Sequence, residues 1–226
     1  MLTFSTSLNF DDKILINDSF ENYHFSSSKL ISELSKNFNL KSNLSNYPFI
    51  ELKNNKSIKC IIYASDINPA HCPAHLHDAI STYELWVDES KFITDSGNYN
   101  YLDDSSRNYF RSSKAHNITT SLSKSQSELI KSFRYGKKSK LINFTKIDQN
   151  VNIRYLEVKN IFKYNEISRD ISCLDKGIIF SDSTYLSNSI SYIHFSPNVS
   201  IKKFSDRKFQ LIKNDKILYL RYLESY

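Results

Sequence analysis

Along most of this chain apolar and polar positions alternate with a period of two, in short runs separated by polar turns, and that is the pattern of strands. Residues 13–17 (KILIN) form a short apolar run expected to be a lead-in strand. Leu30, Ile31, Leu34 and Phe38 then recur at helical spacing behind a serine cluster at 26–28 that can cap a helix start. This is the one helix the pattern predicts. From residue 49 onward the period is that of strands. Residues 50–63 (IELKNNKSIKCIIY) predict a hairpin turning at 54–56, and 83–97 (YELWVDESKFITDSG) predict another turning at 88–90, with Tyr83, Leu85 and Val87 on one face. Further strands are expected at 116–122, 127–134, 138–147, 151–158, 167–173, 177–182, 189–195, 199–204, 208–213 and 216–224. Short strands at close spacing, without intervening helices, predict an all-β fold: a large antiparallel β-sandwich with one short N-terminal helix. Residues 1–48 are expected to be a lead-in strand, helix and loop, and 49–226 a single β domain.

Composition supports this picture. Of 226 residues, 40% are apolar, including 15 Tyr and 15 Phe, enough for a core and biased toward strands. Only 3 Gly and 4 Pro are present, so Asn, Asp and Ser must make most of the turns. The net charge of +6 suits a polyanionic partner. Cys60, Cys72 and Cys173 are odd in number and lack metal-type spacing, so they are expected to be buried free thiols. No apolar run approaches the roughly 20 residues of a membrane span, and the first residues show no secretory signal pattern.

Chemistry concentrates at the histidines. Residues 73–78 (PAHLHD) hold His75 and His77, and His116 lies farther on. On a strand His75 and His77 would share a face, about 6.6 Å apart along the chain. Two imidazoles so placed can share a metal, or one can bind metal while the other works on substrate. Two half-buried histidines with ordinary hydrogen bonds are the plain alternative. A cupin-type metal site also uses H-x-H, but wants a Glu shortly afterwards; here the next is Glu84, too far along.

The surrounding residues narrow the choice. The chain continues with 78–85 (DAISTYEL), 92–97 (FITDSG), 107–113 (RNYFRSS), 115–117 (AHN), 126–128 (QSE) and 133–136 (FRYG). In this order and spacing the segments resemble the carboxy-terminal domain of the heparinase II/III-like family of uronate polysaccharide lyases. The family's glycine before the first histidine is Ala74 here, its Leu-Ser-Phe becomes Ile80 to Tyr83, and its Gly-Thr-Tyr turn reads Gly97, Asn98, Tyr99. The charged and metal-type residues are all kept. The resemblance is specific over about residues 13–140 and beyond that is only a general strand pattern.

The resemblance implies a metal site, usually zinc, on His77, Asp95 and His116, structural in role and near the active site. Two imidazoles and a carboxylate are a normal zinc set. It implies that His75 stands in a substrate cleft and assists catalysis, with Arg111 and Asn117 as substrate-binding candidates. Arg107 and Arg111 could equally be structural partners inside the sandwich. The implied reaction is β-elimination on a uronic-acid polysaccharide such as a glycosaminoglycan or alginate. The implied catalytic Tyr, with its Asn or His and Arg partners, belongs to an α/α toroid that precedes this domain in the family. Those residues are not expected here, so the chain is expected to be incomplete as an enzyme on its own. Its expected partners are an acidic polysaccharide and a helical domain, which could be a separate chain, rather than nucleic acid or a membrane. By resemblance it would work in the periplasm or outside the cell. A non-catalytic polysaccharide-binding or scaffold domain with a structural zinc site is the competing reading.

Overall fold

Turn chemistry sets the register of the first sheet. In the computed structural model, which describes Ile16 and residues 48–54, 57–66, 73–121, 124–185 and 188–223, the side chain of Asn54 closes the first hairpin. Its Oδ1 accepts from the backbone N–H of Ser57 (3.0 Å) and Ile58 (2.9 Å), the local mimicry that makes Asn a turn residue. That aligns β1 (Phe49–Lys53) with β2 (Ile58–Tyr63), Ile50 opposite Ile62 and Leu52 opposite Cys60. β3 (Tyr83–Val87) and β4 (Ser90–Ile93) complete an antiparallel sheet in the order β1-β2-β3-β4. Asp88, in the turn between β3 and β4, has φ 53°. Asp148 (φ 52°) and the pair Asn214 and Asp215 (φ 49° and 59°) take the same left-handed backbone elsewhere. Asn and Asp tolerate that conformation better than other non-glycine residues, which is how a chain so poor in glycine makes tight turns.

The second sheet runs β11-β10-β9-β8, from β8 (Lys140–Ile147), β9 (Asn150–Val158), β10 (Tyr164–Leu174) and β11 (Gly177–Thr184). Val151, Ile153 and Tyr155 of β9 and Ile167, Ile171 and Cys173 of β10 point inward, and they share one core with Leu52, Cys60, Ile62, Tyr83, Leu85 and Phe92 of the first sheet. Two sheets burying their apolar faces against each other make a β-sandwich. A third sheet, β13 (Ser200–Ser205), β14 (Lys208–Lys213) and β15 (Lys216–Arg221), adds Leu211 to that core. β5 (Thr119–Ser121) pairs with β12 (Ser189–Ser191), and β6 (Leu129–Ile130) with β7 (Arg134–Tyr135).

The strands follow the predicted pattern closely, with 127–134 resolving into the small β6–β7 hairpin. The helix expected at 30–38, the lead-in strand at 13–17 and Cys72 lie outside the described residues, apart from Ile16. Among the described residues the one α-helix is α1 (Ser105–Arg111), which the apolar pattern does not predict. Cys60 and Cys173 are free, buried thiols. Burial pushes both upward, and Cys60 is raised further by the neighbouring Cys173. No described helix is long and apolar enough to cross a membrane.

Candidate active site

The connection from β2 to β3 carries the histidines, and it is not a strand. Pro73–His75 forms a single 3-10 turn, so His75 and His77 do not share a face. His75 is exposed, whereas His77 is buried at 2% exposure. The reason lies in the backbone: instead of pairing with a neighbouring strand, the loop is held through its carbonyl groups. Arg107 Nη2 donates to Ala74 O (2.6 Å), while Arg111 Nε (3.3 Å) and Tyr135 Oη (2.8 Å) donate to Leu76 O. The amide of Asp78 donates to Arg111 O at 3.0 Å. Both arginines are fully buried and belong to α1, one helical turn apart, so they face the loop together. Arg107 also donates to Asn98 Oδ1 (2.5 Å) and stands 3.4 Å from His77 Nε2. Tyr135 is stacked under the Arg111 guanidinium at 4.4 Å.

Asp95 follows β4 and is completely enclosed. Its carboxylate accepts from Thr82 Oγ1 (2.7 Å), from Gly97 N (3.1 Å) and from His116 Nδ1, which lies 2.9 Å from both oxygens. Burial alone would raise this carboxyl, but His116, Thr82 and the Gly97 amide together hold it below the usual carboxylate range. Gly97 itself has φ 60°, which suits the turn that brings its amide round to Asp95. The rings of His77 and His116 lie 5.2 Å apart between centroids. Of the three residues expected to hold zinc, His116 thus neighbours both others, His77 through its ring and Asp95 by a direct hydrogen bond. Among the described residues no group of three or more His, Cys, Asp or Glu is gathered closely enough to hold a metal ion. Two imidazoles and a carboxylate are donor types that suit zinc, but His116 meets Asp95 through Nδ1 while its buried Nε2, which no hydrogen bond engages, points away from that carboxylate, so the three would have to shift to share one ion.

Asn117 and Arg111 are engaged with backbone groups. Asn117 Nδ2 donates to Tyr83 O (2.8 Å) and Thr94 O (2.9 Å), and its Oδ1 accepts from His194 N (2.6 Å). Gln126 spans the same loop, accepting from Ile80 N and donating to Ile80 O, both at 3.1 Å.

A family model described as Heparinase II/III-like, C-terminal, matches residues 44–222. The chain belongs to this family. As a heparinase II/III-like C-terminal domain it resembles in fold one part of longer solved chains. A heparinase III with methylated lysines superposes with TM-score 0.61 at 17% identity, over 92% of this chain and 35% of that one. Another heparinase III structure gives TM-score 0.63 at 15% identity, over 93% and 36%. The heparan sulfate lyase of Pedobacter heparinus gives 0.58 at 14% identity, over 90% and 35%. The chain thus spans about a third of the length of these proteins. No curated protein matches it.

Three residues of this heparinase II/III-like domain that support the site were given no role from sequence. Glu84, fully buried behind Asp95, accepts from Thr94 Oγ1 and from Asp95 N, both at 3.1 Å, and pairs with Lys91 at 3.3 Å. Its position next to Tyr83 in an apolar strand was the available signal. Arg169 of β10 donates to the carbonyls of Ser81 (2.9 Å) and Asn117 (2.8 Å), reaching both segments that flank Asp95. An arginine at the inward position between Ile167 and Ile171 was the clue there. His194 is half-buried against Asn117, and burial lowers its basicity.

Proposed function

We propose that this chain is the β-sandwich part of a uronate-polysaccharide lyase acting by β-elimination, with His75 in the cleft and zinc on His77, Asp95 and His116. The observation that carries the reading is the contrast within one loop of a heparinase II/III-like domain. His75 is exposed, at the head of a segment whose following residues from His77 to Glu84 are all buried. Such a loop presents one imidazole to solvent above a buried support held by Arg107, Arg111 and Tyr135, which is the arrangement expected of a group that exchanges protons with substrate.

In the proposed reaction a base removes the C5 proton of the uronate. The C5–H electron pair forms the C4–C5 double bond, the C4–O4 bond breaks, and the leaving oxygen takes up a proton. The C5 proton leaves at neutral pH only when the charge developing on the carboxylate is stabilised. His75 supplies a positioned imidazole for one of these proton movements, and residues of a helical domain supply the rest. Zinc, when bound, would tie the His77 loop, the Asp95 turn and the His116 segment together and add positive charge beside the cleft. Arg107 and Arg111 act in this scheme by holding the His75 loop through Ala74 and Leu76.

The test is to complete the protein with a helical domain from a heparinase II/III-like relative, fused or added in trans, and to follow ultraviolet absorbance of the unsaturated uronate. Turnover on an acidic glycan that falls at least 100-fold in His75→Ala is the expected result. Absence of an ultraviolet signal from the completed, folded protein on every uronate glycan would overturn the lyase reading. Elemental analysis of the same preparation should find zinc in the wild type and lose it in His77→Ala.

A further inference from the structure

The sheet β13-β14-β15 has two unlike faces. On the inward face Leu211 is fully buried, Leu218 and Leu220 pack against the core, and Lys213 Nζ reaches back to Lys91 O (3.0 Å) and Ser196 Oγ (2.8 Å). The strand register then fixes what points outward. Lys202, Gln210 and Tyr219 form one cross-strand row, and Lys208 stands opposite Arg221 in the next. Phe204, beside the irregularity between Lys203 and Ser205, joins this face: Lys202 Nζ lies 5.3 Å and Lys208 Nζ 5.5 Å from its ring centroid. Lys208 Nζ is also 5.5 Å from the ring of Tyr219, whose hydroxyl accepts from Gln210 Nε2 at 3.3 Å. Phe204 and Tyr219 are 51% and 54% exposed. The neighbouring acidic residues Asp206 and Asp215 lie in the turns at the strand ends, and Asp206 is paired with Lys203.

An outward sheet face with three cations and two half-exposed rings in adjacent rows calls for a ligand that is both anionic and partly apolar. Cations alone would serve any polyanion. Rings kept half-exposed among those cations add flat apolar surface, which matches the C–H face of a pyranose. We propose that this face is a second, non-catalytic binding surface for acidic polysaccharide, on which Lys202, Lys208 and Arg221 pair with carboxylate or sulfate groups while Phe204 and Tyr219 pack against sugar rings. The substrate class rests on the proposed function; the surface itself does not involve the His75 loop. It would retain the long polymer while one bond is processed elsewhere, raising the local concentration of cleavable sites.

Affinity of the full chain for a heparan sulfate column and an alginate column, eluted by salt, tests it in four proteins: wild type, Lys202→Gln/Lys208→Gln/Arg221→Gln, Tyr219→Ala and His75→Ala. All five substituted residues are exposed or half-exposed, so circular dichroism should show each variant folded. The expected result is that the triple variant binds at least 10-fold more weakly with a shallower salt dependence, Tyr219→Ala binds several-fold more weakly, and His75→Ala binds as wild type. Binding unchanged in the triple variant and in Tyr219→Ala overturns the second surface. If His75→Ala alone is weakened, the lyase reading stands without it. A wild type that holds neither glycan, or that holds single-stranded DNA of equal charge at least as tightly, also overturns the proposed surface, and the ultraviolet assay still decides the lyase reading independently.

Discussion

Asn117 shows how much one buried side chain can do. It is fully buried and bridges β3, the end of β4 and the segment after β12 through Tyr83 O, Thr94 O and His194 N. Removing a partner from a buried backbone group costs about 1–3 kcal/mol. Asn117→Ala orphans three such groups at once, so urea unfolding should show a loss of about 3 kcal/mol or more; a loss below about 1 kcal/mol would mean that the bridge is not holding these segments. The motif drew attention to Asn117 in the sequence, but a motif gives a residue's place and not its partners. The same holds for His75 and His77: H-x-H was legible, whereas the 3-10 turn that sends one outward and the other inward depends on carbonyl hydrogen bonds from residues 33 to 59 positions away.

Helix α1 was illegible for a related reason. Its buried positions are Arg107 and Arg111, so the stripe it turns toward the protein is cationic, and a search for apolar residues at helical spacing passes over it. The remaining signal is Asp104, the N-cap, whose Oδ1 accepts from Arg107 N at 2.8 Å. Asp104→Ala should cost about 1 kcal/mol in thermal or urea unfolding, and Asp104→Ser should recover most of it. Equal stability of Asp104→Ala and wild type would show that the arginine contacts alone hold this short helix. The strands were legible because there the inward positions are mostly Ile, Val, Leu, Tyr and Phe at a period of two, and the turns because Asn and Asp carry their own left-handed preference.

At the scale of the molecule, the Arg169–Asp182 pair joins the second sheet to the site. Arg169 Nε donates to Asp182 Oδ1 (2.7 Å) and its Nη2 to Oδ2 (2.8 Å), while Nη1 holds Ser81 O and Asn117 O. Burial opposes ionisation of Asp182, yet Arg169 outweighs it and keeps the carboxyl below its ordinary value. A depressed folded-state carboxyl contributes stability above its unfolded pKa, about 3.9, and loses that contribution as pH falls through the folded value. The stability gap between wild type and Asp182→Asn should therefore be full at neutral pH and shrink below about pH 4, measured by urea unfolding across pH. A gap that stays constant or widens in acid would refute the ion pair's role. Arg169→Met should cost about 3–5 kcal/mol, and Arg169→Met/Asp182→Leu should cost less, since the double change leaves no unpaired charge inside.

The loop that carries His75 is gripped at the carbonyls of Ala74, Leu76 and Ser81. Every residue type has a carbonyl, so the grip is indifferent to which side chains the loop bears. Ala74, where the family pattern has glycine, is already one such exchange. The loop can thus trade side chains around His75 while its backbone keeps its course: the scaffold fixes where the loop runs and leaves open what it displays.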